Sequence, residues 1–125
     1  MTAFAFIHAA PNRVFLFPGQ GSQHVGMSQE LAAAYPSARE TMAEADDTLG
    51  IRLRALCFDG PEDELTDTIN AQPALLTTSV AVLRVIESEL GGAAIKLPAT
   101  PESATFVAGH SLGEYSALVA AGSLT

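Results

Sequence analysis

The chain is poor in cysteine, in positive charge and in long apolar runs, and each shortage excludes something. One cysteine, Cys57, leaves no partner for a disulfide within the chain and suits a reducing, cytoplasmic setting, with Cys57 read as a core thiol. Six Lys and Arg against 14 Asp and Glu give a formal net charge of −8, which argues against nucleic acid or an anionic membrane as the main partner. No block of like charge suggests an acidic tail. No apolar run approaches transmembrane length. Met1–Ile7 is apolar but lacks a basic start and a small-residue cleavage pattern, so it is not expected to be a signal peptide. What is present is a hydrophobic content of 48% in 125 residues, enough for one modest domain with a core and too much for disorder. No internal repeat is visible.

Two short apolar runs have the character of strands. Val14–Phe17 is apolar on both faces and is expected to be a fully buried core strand; Thr105–Ala108 is the second. Ala3–Ile7 is a further strand candidate inside an N-terminal extension, residues 1–12, with Pro11 as separator. Between the strands the helical signals are dense. Ser28–Tyr35 is expected to be helical with Ser28 as N-cap, and Pro36 interrupts it. Ser37–Leu49 resumes, and Gly50 stops it. Ile51–Phe58 is a short amphipathic piece, and Pro61–Leu65 reads as a first helical turn with acids suited to the helix dipole. Ala71–Leu90 is the longest helix, with Pro73 expected in its first turn. Its apolar positions, Leu76, Val80, Leu83, Ile86 and Leu90, widened by Leu75, Val82 and Val85, predict burial at the start and solvent at the end. Gly91 and Gly92 end it, and Lys96–Ser103 is expected to be a surface loop. Strand, helices, long helix, strand and helix together predict an α/β fold with a parallel sheet.

Both strands run into glycine-rich loops. The second leads to Gly109-His110-Ser111-Leu112-Gly113, an instance of G-x-S-x-G. That pattern suits a strand that reverses sharply into a helix, with the serine exposed at the apex in a strained conformation. Glycines on either side remove Cβ atoms that would collide in the turn. Leu112–Ala121 supplies the helix and Gly122 its stop. Ser111 is therefore the candidate nucleophile. The first strand leads to Pro18-Gly19-Gln20-Gly21-Ser22-Gln23. In an open parallel sheet, sites lie at the carboxyl ends of strands, so neighbouring strands would bring the two loops to one crevice. An acyl-transferring serine needs an oxyanion hole, and the backbone N–H groups of Leu112 and Gln20 are the candidate donors. A phosphate-loop reading of the first loop fails, because the third glycine of a dinucleotide fingerprint meets His24 and Gly26 is followed by Met27 rather than Lys.

The base is harder to place. His8 lies in the extension, and His24 reads as a surface-loop residue. His110 precedes the serine, and consecutive side chains diverge, so it reads as a packed or hydrogen-bonded neighbour of Ser111 rather than as the general base. Glu114 is the only ionised side chain after Ser111 and is expected to serve the N-terminus of its helix.

Phe17-Pro18-Gly19-Gln20-Gly21-Ser22-Gln23 and Gly109-His110-Ser111-Leu112-Gly113-Glu114-Tyr115-Ser116-Ala117-Leu118 together resemble the bacterial malonyl-CoA:acyl carrier protein transacylases. Gln72-Pro73-Ala74-Leu75-Leu76 looks like that family's third marker. Polyketide synthase acyltransferase domains share the first motif, whereas Leu112 and Tyr115 favour the free-standing fatty-acid type. The resemblance implies malonyl transfer from coenzyme A to the phosphopantetheine thiol of acyl carrier protein through an ester on Ser111, with Gln20 and Leu112 as oxyanion donors. It implies malonyl-CoA as substrate and no permanently bound cofactor or metal. The family's histidine base, its malonyl-binding arginine and its ferredoxin-like subdomain match positions beyond Thr125. Residues 13–125 are accordingly expected to be the N-terminal portion of an acyltransferase domain, a partial α/β-hydrolase-like parallel sheet with covering helices. A serine hydrolase, a polyketide synthase acyltransferase fragment and an inactive fragment are the alternative readings. The elbow supports the hydrolase; the first motif does not.

Overall fold

The computed structural model describes residues 14–89 and 106–124. The N-terminal extension with its strand candidate Ala3–Ile7 and His8, the helix end at Leu90–Gly92, the loop Lys96–Ser103, and Thr105 and Thr125 lie outside the described residues. In chain order the elements are β1 (Val14–Phe17), α1 (Gln29–Ala34), α2 (Pro36–Leu49), α3 (Leu53–Asp59), α4 (Glu62–Thr66), α5 (Thr68–Glu89), β2 (Phe106–Gly109) and α6 (Gly113–Ala120). The two strands pair in parallel, Val14 opposite Phe106 and Phe17 opposite Gly109. This is an α/β arrangement, as the element order predicts.

The sheet is not buried as expected. Phe17 is buried, but Leu16 is 75% exposed and Phe106 67%. Phe15, Phe17 and Val107 pack on Leu83 and Ile86 of α5 and on Ala117 and Ala120 of α6. Side chains alternate across a strand, so Val14, Leu16 and Phe106 point the other way, where no described element covers them. An apolar run on both faces says only that both faces tolerate burial; a second layer is needed to realise it.

The helices obey local signals at most ends. Gly50 stops α2 in the left-handed region, φ 66°, where glycine has no Cβ penalty. Pro36 opens α2 instead of merely separating two helices, because the missing N–H at a first helical position would be unpaired anyway. Ser28 stands at the N-cap of α1 but does not cap it. Its φ is 65°, and its hydroxyl donates to Thr78 Oγ1 at 2.9 Å, a bond to α5 that replaces the local one. Pro73 corrects the sequence reading. α5 starts at Thr68, three residues before the expected Ala71, so Pro73 lies inside the helix. The added turn is held from outside: the Asp67 carbonyl accepts from the N–H groups of Asn70 and Ala71, and Asn70 Nδ2 donates to the Glu64 carbonyl. Only one turn precedes the proline, which limits what its missing N–H can disrupt.

Burial along α5 also differs from the expected gradient. Leu83, Val85 and Ile86 near its end are buried, whereas Ile69 at its start is 80% exposed and Val82 is exposed. α5 is the central pillar. Leu75 and Ala74 face the cluster of Met27, Met42, Leu53, Cys57 and Leu65. Ala81 and Val85 meet Ala38 of α2, and Leu83 and Ile86 carry the sheet. A helix packed by several elements buries a face wider than one stripe, which a single-stripe reading misses. By length and composition α5 is long and apolar enough to cross a membrane, contrary to the expectation from the sequence. Its packing among helices accounts for that composition here. Cys57 is fully buried, as expected; burial, followed by the charge of Asp46, pushes its thiol pKa up to about 11.

Candidate functional site

The parallel pairing of β1 and β2 brings Pro18 and His110 to the same end of the sheet. The His110 N–H continues the ladder by donating to the Phe17 carbonyl at 3.2 Å. The chain then reverses. The His110 carbonyl accepts from the Gly113 N–H at 2.9 Å and the Ser111 carbonyl from the Glu114 N–H at 3.0 Å, so α6 begins directly at the turn. Ser111 sits at the apex with φ 54°, one of two non-glycine residues in the left-handed region among those described. Such a conformation costs a serine on the order of 1–2 kcal/mol, so the surrounding contacts must enforce it. Ser111 is exposed.

Three glycines permit this geometry. A Cβ on Gly109 would collide with the Gly113 carbonyl, and a Cβ on Gly113 would collide with the carbonyls of Phe17 and Pro18. Both contacts are with backbone, so no side-chain rotation can relieve them. Gly19 is the third, and it joins the two loops. A Cβ there would lie 2.5 Å from the His110 carbonyl oxygen and 3.2 Å from Ser111 Cβ. The loop after β1 and the serine turn therefore do meet at one place, as neighbouring parallel strands require.

The two candidate donors are unspent. Neither the Gln20 nor the Leu112 backbone N–H has a hydrogen-bond partner among the described residues. The neighbouring amide is spent: the Gly21 N–H donates to Gln23 Oε1 at 2.8 Å. Gln20 uses its side chain elsewhere, with Nε2 donating to Thr68 Oγ1 at 3.0 Å. Sequence reasoning did not single out Thr68, because nothing local marks a partner 48 residues away. The Gln23 bond is a two-residue return to the backbone, a local turn signal that inspection of the loop could have found.

The histidines are placed less centrally. His110 is exposed, so the expectation of a packed neighbour is not met; the tight turn projects its side chain outward. His24 is also exposed, with Nδ1 3.4 Å from the Ser22 carbonyl, long for a hydrogen bond. It lines a cavity of about 540 Å³ with Pro18, Ser22, Met27 and Thr78, a lining that includes neither Ser111 nor Gln20. Glu114 is in the first turn of α6, where its charge suits the helix N-terminus.

Residues 14–125 match a family model described as the acyl transferase domain. The malonyl CoA-acyl carrier protein transacylase of Bacillus subtilis (strain 168) is 56% identical over 111 residues, 89% of this chain and 32% of that one. The solved acyl-carrier-protein S-malonyltransferase of Bartonella henselae superposes with a TM-score of 0.79 at 49% identity, covering 89% of this chain and 33% of the other. A malonyl-transacylase solved in complex with a type II PKS acyl-carrier protein gives a TM-score of 0.76 at 50% identity, with 89% and 33% covered. The chain thus spans about a third of the length of the relatives it matches.

Proposed function

The chain belongs to the acyl transferase domain family, and from that premise we propose that it carries the acyl-accepting serine of a malonyl-CoA:acyl carrier protein transacylase of fatty acid biosynthesis. The observation that carries this is Ser111, exposed at φ 54° between strand and helix, with the Gly19–Gly21 loop seated against its turn. On this reading residues 13–125 are the N-terminal portion of an acyltransferase domain, built as part of an α/β-hydrolase-like sheet with a nucleophile elbow. Residues 1–12 are an extension to it.

The chemistry follows from the donors. Ser111 Oγ attacks the malonyl thioester carbonyl. The N–H groups of Gln20 and Leu112 receive the developing oxyanion, the C–S bond breaks, and coenzyme A leaves as its thiol with the proton taken from the serine. The thiol of the carrier protein's phosphopantetheine then attacks the ester, its C–O bond breaks, and Ser111 regains a proton. Malonyl-CoA is a substrate, and no resident cofactor or metal enters these steps. His110 precedes Ser111 in the turn and is read as its neighbour rather than as the base. The proton acceptor and the cation for the malonyl carboxylate are the histidine and arginine that the resemblance puts outside the matched stretch. The working compartment is the cytoplasm, with neither nucleic acid nor membrane as partner.

Support for an acyl carrier protein as acceptor comes from the relative solved with one. That carrier is of the polyketide kind, so fatty-acid and polyketide carriers should both be offered, and the ratio of transfer rates separates these readings. The test of the central claim is intact-mass analysis after incubation with malonyl-CoA. The chain replaces the matching third of the Bacillus subtilis transacylase, so that the site is complete. One malonyl adduct is expected, at Ser111, and none on Ser111→Ala. An undiminished adduct on Ser111→Ala refutes the assignment.

A further inference from the structure

Beyond the steric contact of Gly19 with the serine turn, the loop that carries Gln20 has few polar ties to hold it in place. Gly19 and Gly21 flank the donor, and Gly21 is at φ 106°, so the backbone on both sides is of the most permissive kind. Its internal bonds, Gly21 N–H to Gln23 Oε1 and Ser22 N–H to the Gly19 carbonyl at 3.3 Å, close the loop on itself without fixing it to the body of the protein. The long-range polar tie of the loop among the described residues is the Gln20 amide on Thr68 Oγ1, at 3.0 Å.

Thr68 is well suited to be the fixed end. It is the first residue of α5, the pillar of the core. The residues around it are locked by the Asp67 carbonyl, which accepts at 2.9 Å from Asn70 and 2.8 Å from Ala71, and by Asn70 Nδ2 on the Glu64 carbonyl at 2.9 Å. Buried Leu65 and Ala71 seat this junction in the core. The fixed start of α5 therefore holds, through a bond between two exposed side chains, the residue that follows Gly19, whose backbone touches the serine turn. An oxyanion donor contributes only if it is held where charge develops, and a donor on a loose loop must be ordered at each turnover.

We propose that Thr68 is a positioning residue for the oxyanion hole: its hydroxyl holds the Gln20 side chain and so fixes the Gln20 N–H relative to Ser111. The inference rests on the acyl-transfer function proposed above. Thr68 touches neither substrate nor the reacting atoms, so its effect runs wholly through Gln20.

The test measures single-turnover malonylation of Ser111 in the enzyme whose matching third is this chain. Thr68→Val keeps the shape and removes the hydroxyl; Thr68→Ser keeps the hydroxyl; Gln20→Leu removes the amide and keeps the backbone N–H. Thr68→Val is expected to slow acylation roughly five- to twentyfold, below the ~10²–10³ that follows loss of an entire oxyanion donor. The malonyl-CoA concentration at half-maximal rate and the thermal midpoint should stay unchanged. Thr68→Ser should restore most of the rate. The double variant Thr68→Val/Gln20→Leu should be no slower than the slower single one, because both cut one interaction. Additive losses, a Thr68→Ser variant as slow as Thr68→Val, or a full rate in Thr68→Val each overturn the proposal while leaving Ser111 as the acyl carrier. Absence of any adduct in the unsubstituted enzyme overturns the function itself, and this inference with it.

Discussion

Gly19→Ala isolates the contact between the two loops. The φ of Gly19 is not positive, so an alanine can adopt its backbone conformation, and any cost is steric rather than torsional. In the unfolded chain the substitution alone would stabilise by about 0.4–1 kcal/mol through lost entropy. In the folded chain the new Cβ meets the His110 carbonyl oxygen at 2.5 Å and Ser111 Cβ at 3.2 Å. Real Cβ atoms stay beyond 3.0 Å, so the loop and the turn must separate by at least 0.5 Å. The carbonyl cannot yield alone, because it also accepts from the Gly113 N–H that starts α6. Overpacking of this kind costs roughly 1–3 kcal/mol, which offsets or outweighs the entropic gain and leaves a net loss of about 0–2.6 kcal/mol. The same displacement shifts the loop that carries the Gln20 N–H relative to the serine. A donor shifted by that much loses much of its hydrogen bond, so malonylation of Ser111 should fall by ~10²-fold, toward the loss seen when a donor is deleted. Urea unfolding reads the first effect and single-turnover acylation the second. A Gly19→Ala variant that is more stable than the parent and acylates at full rate would show that the two loops do not bear on each other, and the oxyanion assignment of Gln20 would fall with that contact.

Two further outcomes concern the core. Cys57 titrates at about 11 rather than 9.0, chiefly because burial disfavours the thiolate, so it should resist a thiol reagent at pH 8 until the protein unfolds; rapid labelling of the native protein contradicts its burial. Since the folded protein holds the Cys57 proton more tightly than the unfolded one, that contribution to stability is complete below pH 9 and is lost as pH rises toward 11, a decline that Cys57→Ala should remove from the alkaline limb of the urea midpoint. Ser116 Oγ is buried in α6 without a hydrogen-bond partner among the described residues, so Ser116→Ala should leave stability unchanged or raise it by up to about 1 kcal/mol; a loss of 2 kcal/mol or more would reveal an interaction the hydroxyl makes.

What the sequence determined by itself is local. The serine turn was legible because its motif is contiguous and Gly109 is required by local sterics, its Cβ meeting the Gly113 carbonyl; Gly113 is required by the carbonyls of Phe17 and Pro18 on the neighbouring strand and loop, a contact that only the fold creates. The helix stop at Gly50 and the start at Pro36 are of the same kind. The family likeness rests on two such short motifs. Tertiary structure decided what depends on a second element. Strand alternation fixes that Phe17 and Leu16 face opposite ways, but only the layers present decide that Phe17 is buried and Leu16 is 75% exposed. Ser28 has the chemistry of an N-cap, yet its hydroxyl donates to Thr78 Oγ1 on α5 instead. Pro73 is a poor residue for a helix interior, yet Asp67 and Asn70 secure the turn before it. Thr68 gave no signal at all, because a hydrogen bond across 48 residues leaves no trace in spacing or composition. Short-range sterics act through the covalent chain and can be read along it; burial and long-range hydrogen bonds depend on which elements come to lie side by side.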